Sequence, residues 1–97
     1  MPHPSSAIPT QFVYATTSAS HTPPGTNDYF YAITNPGAAS STMTLKGGGV
    51  FNVSGVDQAA ASAGQVVEIG PGVTIYGRFT DVTTTDASAT NAVILYF

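Results

Sequence analysis

The sequence predicts an all-β fold: a small antiparallel β-sandwich or barrel of about seven strands, a class that includes the jelly roll, with an extended Pro-rich N-terminal arm. Three observations support this class. Short stretches that alternate apolar and polar residues, or are rich in β-branched and aromatic residues, recur along the chain. Clusters of Gly, Pro and Asn separate them at intervals of roughly 8 to 12 residues. No stretch carries a convincing helical pattern of apolar residues.

The chain has 97 residues, enough for one domain with a single modest core. We divide it into an arm, residues 1–10, and a single β domain, residues 11–97. Cysteine is absent, so neither a disulfide nor a thiolate metal cluster can stabilise so small a core. Oligomerisation or docking onto a larger surface is the remaining common source of stability, so a homo-oligomer and attachment to a larger assembly both stay open.

Charged residues make up only 7% of the chain, and the net charge is −3. The two basic side chains, Lys46 and Arg78, cannot form the positive track that binding to nucleic acid requires. No apolar run reaches the roughly 20 residues of a membrane span, and the start of the chain lacks the pattern of a signal peptide. We expect a soluble protein, made in a cytoplasm, that binds neither nucleic acid nor membrane.

The arm contains three prolines, Pro2, Pro4 and Pro9. Because proline fixes φ and removes an amide donor, residues 1–10 are expected to be extended and non-helical. Two interpretations stay open. The arm is a disordered tail, or it lies along a neighbouring subunit. The apolar Ile8 and the following run Phe12-Val13-Tyr14 favour the second interpretation.

The first half of the domain predicts two strands. Residues 11–17 form the first, and a polar loop over residues 17–27 leads to the second, residues 28–34, which Asn35-Pro36-Gly37 ends. Strict alternation in the second strand predicts the composition of its two faces. Tyr29, Tyr31 and Ile33 share one face, and Phe30 and Ala32 share the other.

The glycine triplet Gly47–Gly49 separates two alternating runs, residues 41–46 and 50–54. Glycine supplies the φ > 0 positions of tight turns, so we expect these runs to form a hairpin. The stretch 55–64 is expected to be a loop. The inward residues of the two runs are Met43, Leu45, Phe51 and Val53.

The second half predicts a short strand over 65–69, with Val67 and Ile69 inward, and then a long strand over 70–82 entered through a Gly-Pro-Gly turn. The long strand has one apolar face, comprising Val73, Ile75, Gly77 and Phe79. Its other face comprises Thr74, Tyr76, Arg78 and Thr80.

The last stretch, residues 90–97, is apolar on both faces. It is therefore expected to be either a strand covered on both sides or a strand buried in a subunit contact.

No catalytic residue, cofactor site or metal site is expected. The glycine triplet precedes a strand rather than the helix N-terminus of a phosphate loop. The two histidines, His3 and His21, lie in Pro-rich segments without converging ligands. The nearest carboxylate pair, Asp81 and Asp86, flanks a Thr-rich loop and is typical of solvated turn residues.

Five tyrosines fall within predicted strands, and tyrosine suits both small cores and contact surfaces. Tyr76 stands out because it shares the outer face of the long strand with Arg78, and both residue types are enriched at contact hot spots.

Three segments together resemble the small all-β structural proteins of tailed bacteriophages, and are most similar to capsid decoration, or cement, proteins. They are Tyr29-Phe30-Tyr31 with Ile33, Thr44–Gly49, and Thr74–Phe79. The resemblance covers residues 28–97. It implies a protein without an active site that binds the outer surface of the virion capsid, commonly as a trimer, and bridges subunits of the major capsid protein. It also implies synthesis in the host cytoplasm.

On this interpretation the Pro-rich arm and the C-terminal strand are the contact elements. Binding comes from burial of Tyr and Phe side chains and from extension of sheets across subunit edges. The alternative is a carbohydrate- or receptor-binding component of a phage tail fibre or neck, using exposed tyrosines. The expected interface residues are Ile8, Phe12, Tyr14, Tyr76, Arg78, Leu95, Tyr96 and Phe97.

Overall fold

The computed structural model describes residues 11–48, 50–53, 56–59, 64–88 and 91–97. Within these ranges the chain is all-β, as predicted, and every strand pairing is antiparallel. The arm, and Ile8 with it, lies outside the described residues. The strands are β1 (Phe12–Ala15), β2 (Ser20–His21), β3 (Phe30–Thr34), β4 (Ser41–Gly48), β5 (Val50–Val53), β6 (Val56–Ala59), β7 (Gln65–Ile69), β8 (Thr74–Thr84) and β9 (Val93–Tyr96).

Seven of these strands form one sheet, in the order β1-β9-β3-β8-β4-β7, with β2 paired to β8 beyond the end of β3. Strands β5 and β6 form a separate two-stranded sheet. The 11-residue β8 is central, because β3 and β2 pair with one of its edges and β4 pairs with the other. The apolar strand β9 lies between β1 and β3, one position from the edge of the sheet.

A single core occupies the inner face of the large sheet. Its buried side chains come from strands at both ends of the sheet, Ala15 on β1 and Ile69 on β7, so the sheet curls around that face. Phe51 of β5 packs edge-on against Phe79 of β8, with ring centroids 5.2 Å apart. The core comprises Ala15, Phe30, Ile33, Met43, Leu45, Phe51, Val67, Ile69, Ile75, Phe79, Val82, Val93 and Leu95.

Two register shifts break the alternation that the sequence predicted. One lies between Phe30 and Ala32 in the pairing of β3 with β8, and the other lies between Lys46 and Gly47 in the pairing of β4 with β8. An extra residue in one strand of a pair reverses the faces of the residues that follow it. Phe30 and Ile33, predicted on opposite faces of one strand, are therefore both fully buried in the core.

The predicted hairpin across the glycine triplet is wrong. Strand β4 continues through Gly48 and pairs with β7 and β8, whereas β5 pairs with β6, and β6 lies in a stretch predicted to be a loop. Gly47 does not form a tight turn. Its lack of a side chain allows the backbone of β8 to come close, since a Cβ atom there would lie 1.9 Å from the carbonyl oxygen of Arg78. The side chain of Val53, predicted to point inward, is outside the described part of the structure.

The turn before β8 is as predicted. The Val73 amide donates to the Gly70 carbonyl over 3.2 Å, and Gly72 has a φ of 74°, which suits the third position of a type II turn after Pro71. Asn35 ties this turn to the end of β3. Its backbone amide donates to the Val73 carbonyl over 3.0 Å, and its carbonyl accepts from the Gly72 amide over 2.7 Å. The turn therefore sets where β8 begins relative to β3.

Candidate interaction surface

The outer face of strands β1, β9, β3 and β8 carries two transverse rows of side chains. Antiparallel register places the members of each row side by side across the four strands. The inner face of the same strands contributes Ile75, Ile33 and Leu95 to the core. The first outer row is Phe12, Tyr96, Ala32 and Tyr76, and the second is Tyr14, Ile94, Thr34 and Thr74.

Five aromatic side chains lie on this side of the molecule, and we call them the aromatic face: Phe12, Tyr14, Tyr31, Tyr76 and Tyr96. Four of them are the most exposed large apolar side chains of the described residues apart from Val66, with exposed fractions from 40% for Tyr31 to 67% for Tyr76. Tyr96 is half-buried between its neighbours. Contiguous exposed apolar surface on a soluble protein typically marks an interaction site.

Four of the five rings form a continuous series of contacts. Tyr14 and Phe12 meet edge to face with centroids 5.7 Å apart, Phe12 lies 6.3 Å from Tyr96, and Tyr96 lies 6.0 Å from Tyr31. These separations are typical of favourable aromatic pairs. These contacts restrict the rotation of the rings. A partner that covers them therefore causes only a small further loss of side-chain entropy.

A groove lies between Tyr96 and Tyr76, because the residue between them in the row is only Ala32. It has a volume of about 300 Å³. Thr34 and Thr74 belong to its lining, with their hydroxyl oxygens 2.7 Å apart. None of the described residues that line it is charged. We call it the tyrosine groove, and its lining is Tyr31, Ala32, Thr34, Thr74, Tyr76 and Tyr96.

A second cleft of about 360 Å³ lies on the other side of Tyr31, which lines both. Its lining includes Asp28 and Tyr29. The guanidinium of Arg78 lies over the ring of Tyr29, 4.7 Å from its centroid, in a cation–π contact. Arg78 therefore contacts one of the residues that line this second cleft. The remaining lining residues are Thr26, Asn27 and Phe97.

The structure brings together four of the expected interface residues, Phe12, Tyr14, Tyr76 and Tyr96. Arg78 is exposed two positions along β8 from Tyr76, on the same face. Leu95 lies elsewhere, because alternation in β9 turns it into the core, where it is fully buried. Phe97 is partly buried and packs against Phe30 with ring centroids 6.4 Å apart.

Sequence reasoning missed the contributions of Tyr31, Ala32 and the threonine pair to this surface. Strict alternation placed Tyr31 on the same face as Ile33, whereas the register shift in β3 leaves Tyr31 exposed and Ile33 in the core. The groove itself depends on cross-strand register. The only signal in the sequence was the concentration of tyrosine in strands.

Asp81, Asp86 and His21 make hydrogen bonds within the fold. Asp81 accepts from Ser20 Oγ over 2.8–2.9 Å, and Asp86 accepts from Ser41 Oγ over 3.0 Å. His21 Nε2 lies 3.3 Å from Thr84 Oγ1. No group of three or more His, Cys, Asp or Glu suited to a metal ion occurs among the described residues. In the same ranges there is no helix with the length and apolar character of a membrane span.

No protein-family model, no curated protein and no solved structure matches this chain.

Proposed function

We propose that this protein is a non-enzymatic structural protein that attaches to a larger protein assembly through its aromatic face. The assembly that the sequence resemblance suggests is the capsid of a tailed bacteriophage. There the protein would bind the outer surface and stabilise the shell by bridging subunits of the major capsid protein. The observation that carries the proposal is the placement of five aromatic side chains on one side of a sheet whose other side is the core.

The physical basis is burial of aromatic surface. A tyrosine or phenylalanine ring offers a large contact area at low conformational cost, since it has few rotatable bonds. Ring contacts such as that of Phe12 with Tyr96 lower this cost further, because the side chains are already packed before binding. A small domain without disulfides also gains stability when a partner covers such a face.

The low charge of the chain bears on the mode of attachment. Arg78 is the one cation beside the aromatic face among the described residues, and it already contacts Tyr29. Attachment through apolar burial depends weakly on salt, because screening acts on charge pairs. Binding to shells should accordingly persist between 50 mM and 500 mM salt.

The test is the copy number of the protein on particles. Purified protein is added to shells of the bacteriophage that encodes it, the shells are separated on a density gradient, and bound protein is quantified against the major capsid protein. The proposal predicts saturation at a copy number close to that of the major capsid protein. Saturation at a dozen copies or fewer would contradict it and indicate a neck, tail or fibre component.

A second candidate is a carbohydrate- or receptor-binding component of a tail fibre or neck. The tyrosine groove favours it, because sugars stack on aromatic rings and bond to hydroxyls such as those of Thr34 and Thr74. Binding of the purified protein to a glycan array, together with no affinity for shells, would select this candidate.

A further inference from the structure

We propose that the tyrosine groove binds the proline-rich arm, residues 1–10, of a second copy of this chain. The inference rests on the proposed role of the aromatic face in association and names the occupant of one part of that face. Phe12 and Tyr14 lie outside the groove lining and stay available to a different partner.

The chemistry of the groove suits an extended proline-rich segment. Such segments adopt the polyproline II conformation, which leaves their backbone carbonyls without internal hydrogen bonds, and they dock into grooves lined by aromatic rings. Tyr31, Tyr76 and Tyr96 supply the rings. Thr34 and Thr74 share one hydrogen bond, so within the described residues one of their two hydroxyl hydrogens is left for a ligand carbonyl.

The charges of groove and arm also match. Among the described residues no charged side chain lines the groove, and residues 1–10 contain no Asp, Glu, Lys or Arg, with His3 as their one titratable side chain. Such a segment enters the groove at a lower desolvation cost than one that carries a carboxylate or an ammonium group. The neighbouring cleft differs, since Asp28 lines it and would favour a cationic ligand.

The direction of the chain favours an arm from a second copy over the chain's own arm. The Phe97 amide donates to the Gln11 carbonyl over 3.0 Å, which holds the chain in line with β1 as far as Gln11. The groove follows β3, two strands away, at a lateral distance of about 10 Å. To occupy it, the chain's own arm would have to reverse direction and cross Phe12 and Tyr96. A ten-residue segment in the polyproline II conformation would span about 31 Å, a length that suits an arm extending to a second copy.

Each copy then offers one arm and one groove. A contact between two different surfaces of identical subunits is heterologous, and it closes into a ring when the rotation between subunits permits. The trimer expected from the sequence resemblance is such a ring.

The experiment uses the full chain and measures its mass in solution by sedimentation at tens of micromolar. The arm variant replaces Pro2, Pro4 and Pro9 with Ala, and the groove variant is Tyr76→Ala. The control is Val66→Ala, at a residue as exposed as Tyr76 but on β7. We expect a trimer for the unmodified chain and the control, and monomers for the arm and groove variants, all with unchanged circular dichroism. A monomeric unmodified chain, or variants that remain trimeric, would overturn the inference.

Mixing the two monomeric variants tests the pairing directly. The arm variant keeps an intact groove and the groove variant keeps an intact arm, so a mixture can form one contact per pair. We expect 1:1 dimers and no rings. Absence of dimers in the mixture would overturn the assignment of the arm to a neighbour's groove.

Binding of the same variants to shells separates this inference from the proposed function. A ring-forming chain that does not bind shells would overturn the proposed function and leave the arm contact standing. A monomeric unmodified chain that binds shells at high copy number would overturn the arm contact alone.

Discussion

Tyr76 and Tyr96 lie on either side of Ala32 in one transverse row of the sheet, with Tyr76 on β8 and Tyr96 on β9. Because the residue between the two rings has a single methyl group, the row has a gap where a larger side chain would fill the surface. The tyrosine groove is a direct consequence of this order of side chains.

Filling the gap should close the groove while leaving the rings in place. We expect Ala32→Leu to abolish ring formation by the full chain in sedimentation. The free energy of unfolding should fall by about 1–3 kcal/mol, because Ala32 is itself buried and the added atoms press against the flanking tyrosine rings. Ala38→Leu, at an exposed loop position, is the control and should change neither quantity. An unchanged oligomer in Ala32→Leu would contradict the role of the groove.

Buried Asn35 should be essential to stability. Its side-chain amide donates to the carbonyls of Ala39 over 2.8 Å and Ile69 over 2.9 Å, and its Oδ1 accepts from the Gly37 amide over 3.1 Å. Asn35→Ala leaves these groups unpaired and should lower the free energy of unfolding by about 2–4 kcal/mol. Asn35→Asp should cost more, since a carboxylate would face two carbonyl oxygens.

Urea denaturation measures the effect of both Asn35 variants. The control is Asn27→Ala, because Asn27 is exposed and its amide donates only to the Pro24 carbonyl, over 2.9 Å. It should cost no more than about 1 kcal/mol. An Asn35→Asp variant as stable as the unmodified chain would show that the amide does not make these bonds.

Gly47 should tolerate no side chain. The Cβ of Gly47→Ala would lie 1.9 Å from the Arg78 carbonyl oxygen, so β4 and β8 would have to separate at the register shift. We expect a loss of at least about 2 kcal/mol in the free energy of unfolding. Gly70→Ala is the matched control, since its nearest neighbour, Val73 Cγ2, lies at an ordinary 3.7 Å. Equal stability of the two variants in urea denaturation would contradict a close approach of the Arg78 backbone to Gly47.

The contact of Arg78 with Tyr29 should be measurable as a coupling energy. A double-mutant cycle with Arg78→Met and Tyr29→Leu keeps apolar bulk at both positions and removes the cation and the ring. Because the guanidinium is exposed, we expect a coupling of about 0.5–1 kcal/mol in the free energy of unfolding. Additive effects of the two substitutions would show that the contact does not contribute to stability.

The strands were the most predictable part of this fold. Alternation alone placed Met43, Leu45, Val67, Ile69, Ile75 and Phe79 in the core, and all six are buried. Alternation predicts burial here because one face of each strand is buried and successive side chains point to opposite faces.

The pairing of the strands was less predictable. Glycines after an alternating run predict a turn, yet Gly47 lies inside β4 and its missing Cβ admits the backbone of β8. The strand that packs against a glycine is determined by contacts between residues far apart in the sequence. The residues next to the glycine carry no sign of these contacts.

The candidate surface was predicted in part. The sequence singled out Phe12, Tyr14, Tyr76 and Tyr96 as contact residues, and they lie together on one face. It could not show that Ala32 separates two of the rings, because that depends on the register of β3 against both of its neighbours.

Attachment through the aromatic face is tested by comparing the binding of Tyr14→Ser and Val66→Ser to shells. Both residues are exposed strand positions, but only Tyr14 belongs to the aromatic face, and it lies outside the groove lining. If the aromatic face attaches the protein to the capsid, Tyr14→Ser should weaken binding at least tenfold, as expected for a buried aromatic contact, and Val66→Ser should bind like the unmodified chain. Equal affinities of the two variants would contradict attachment through this face.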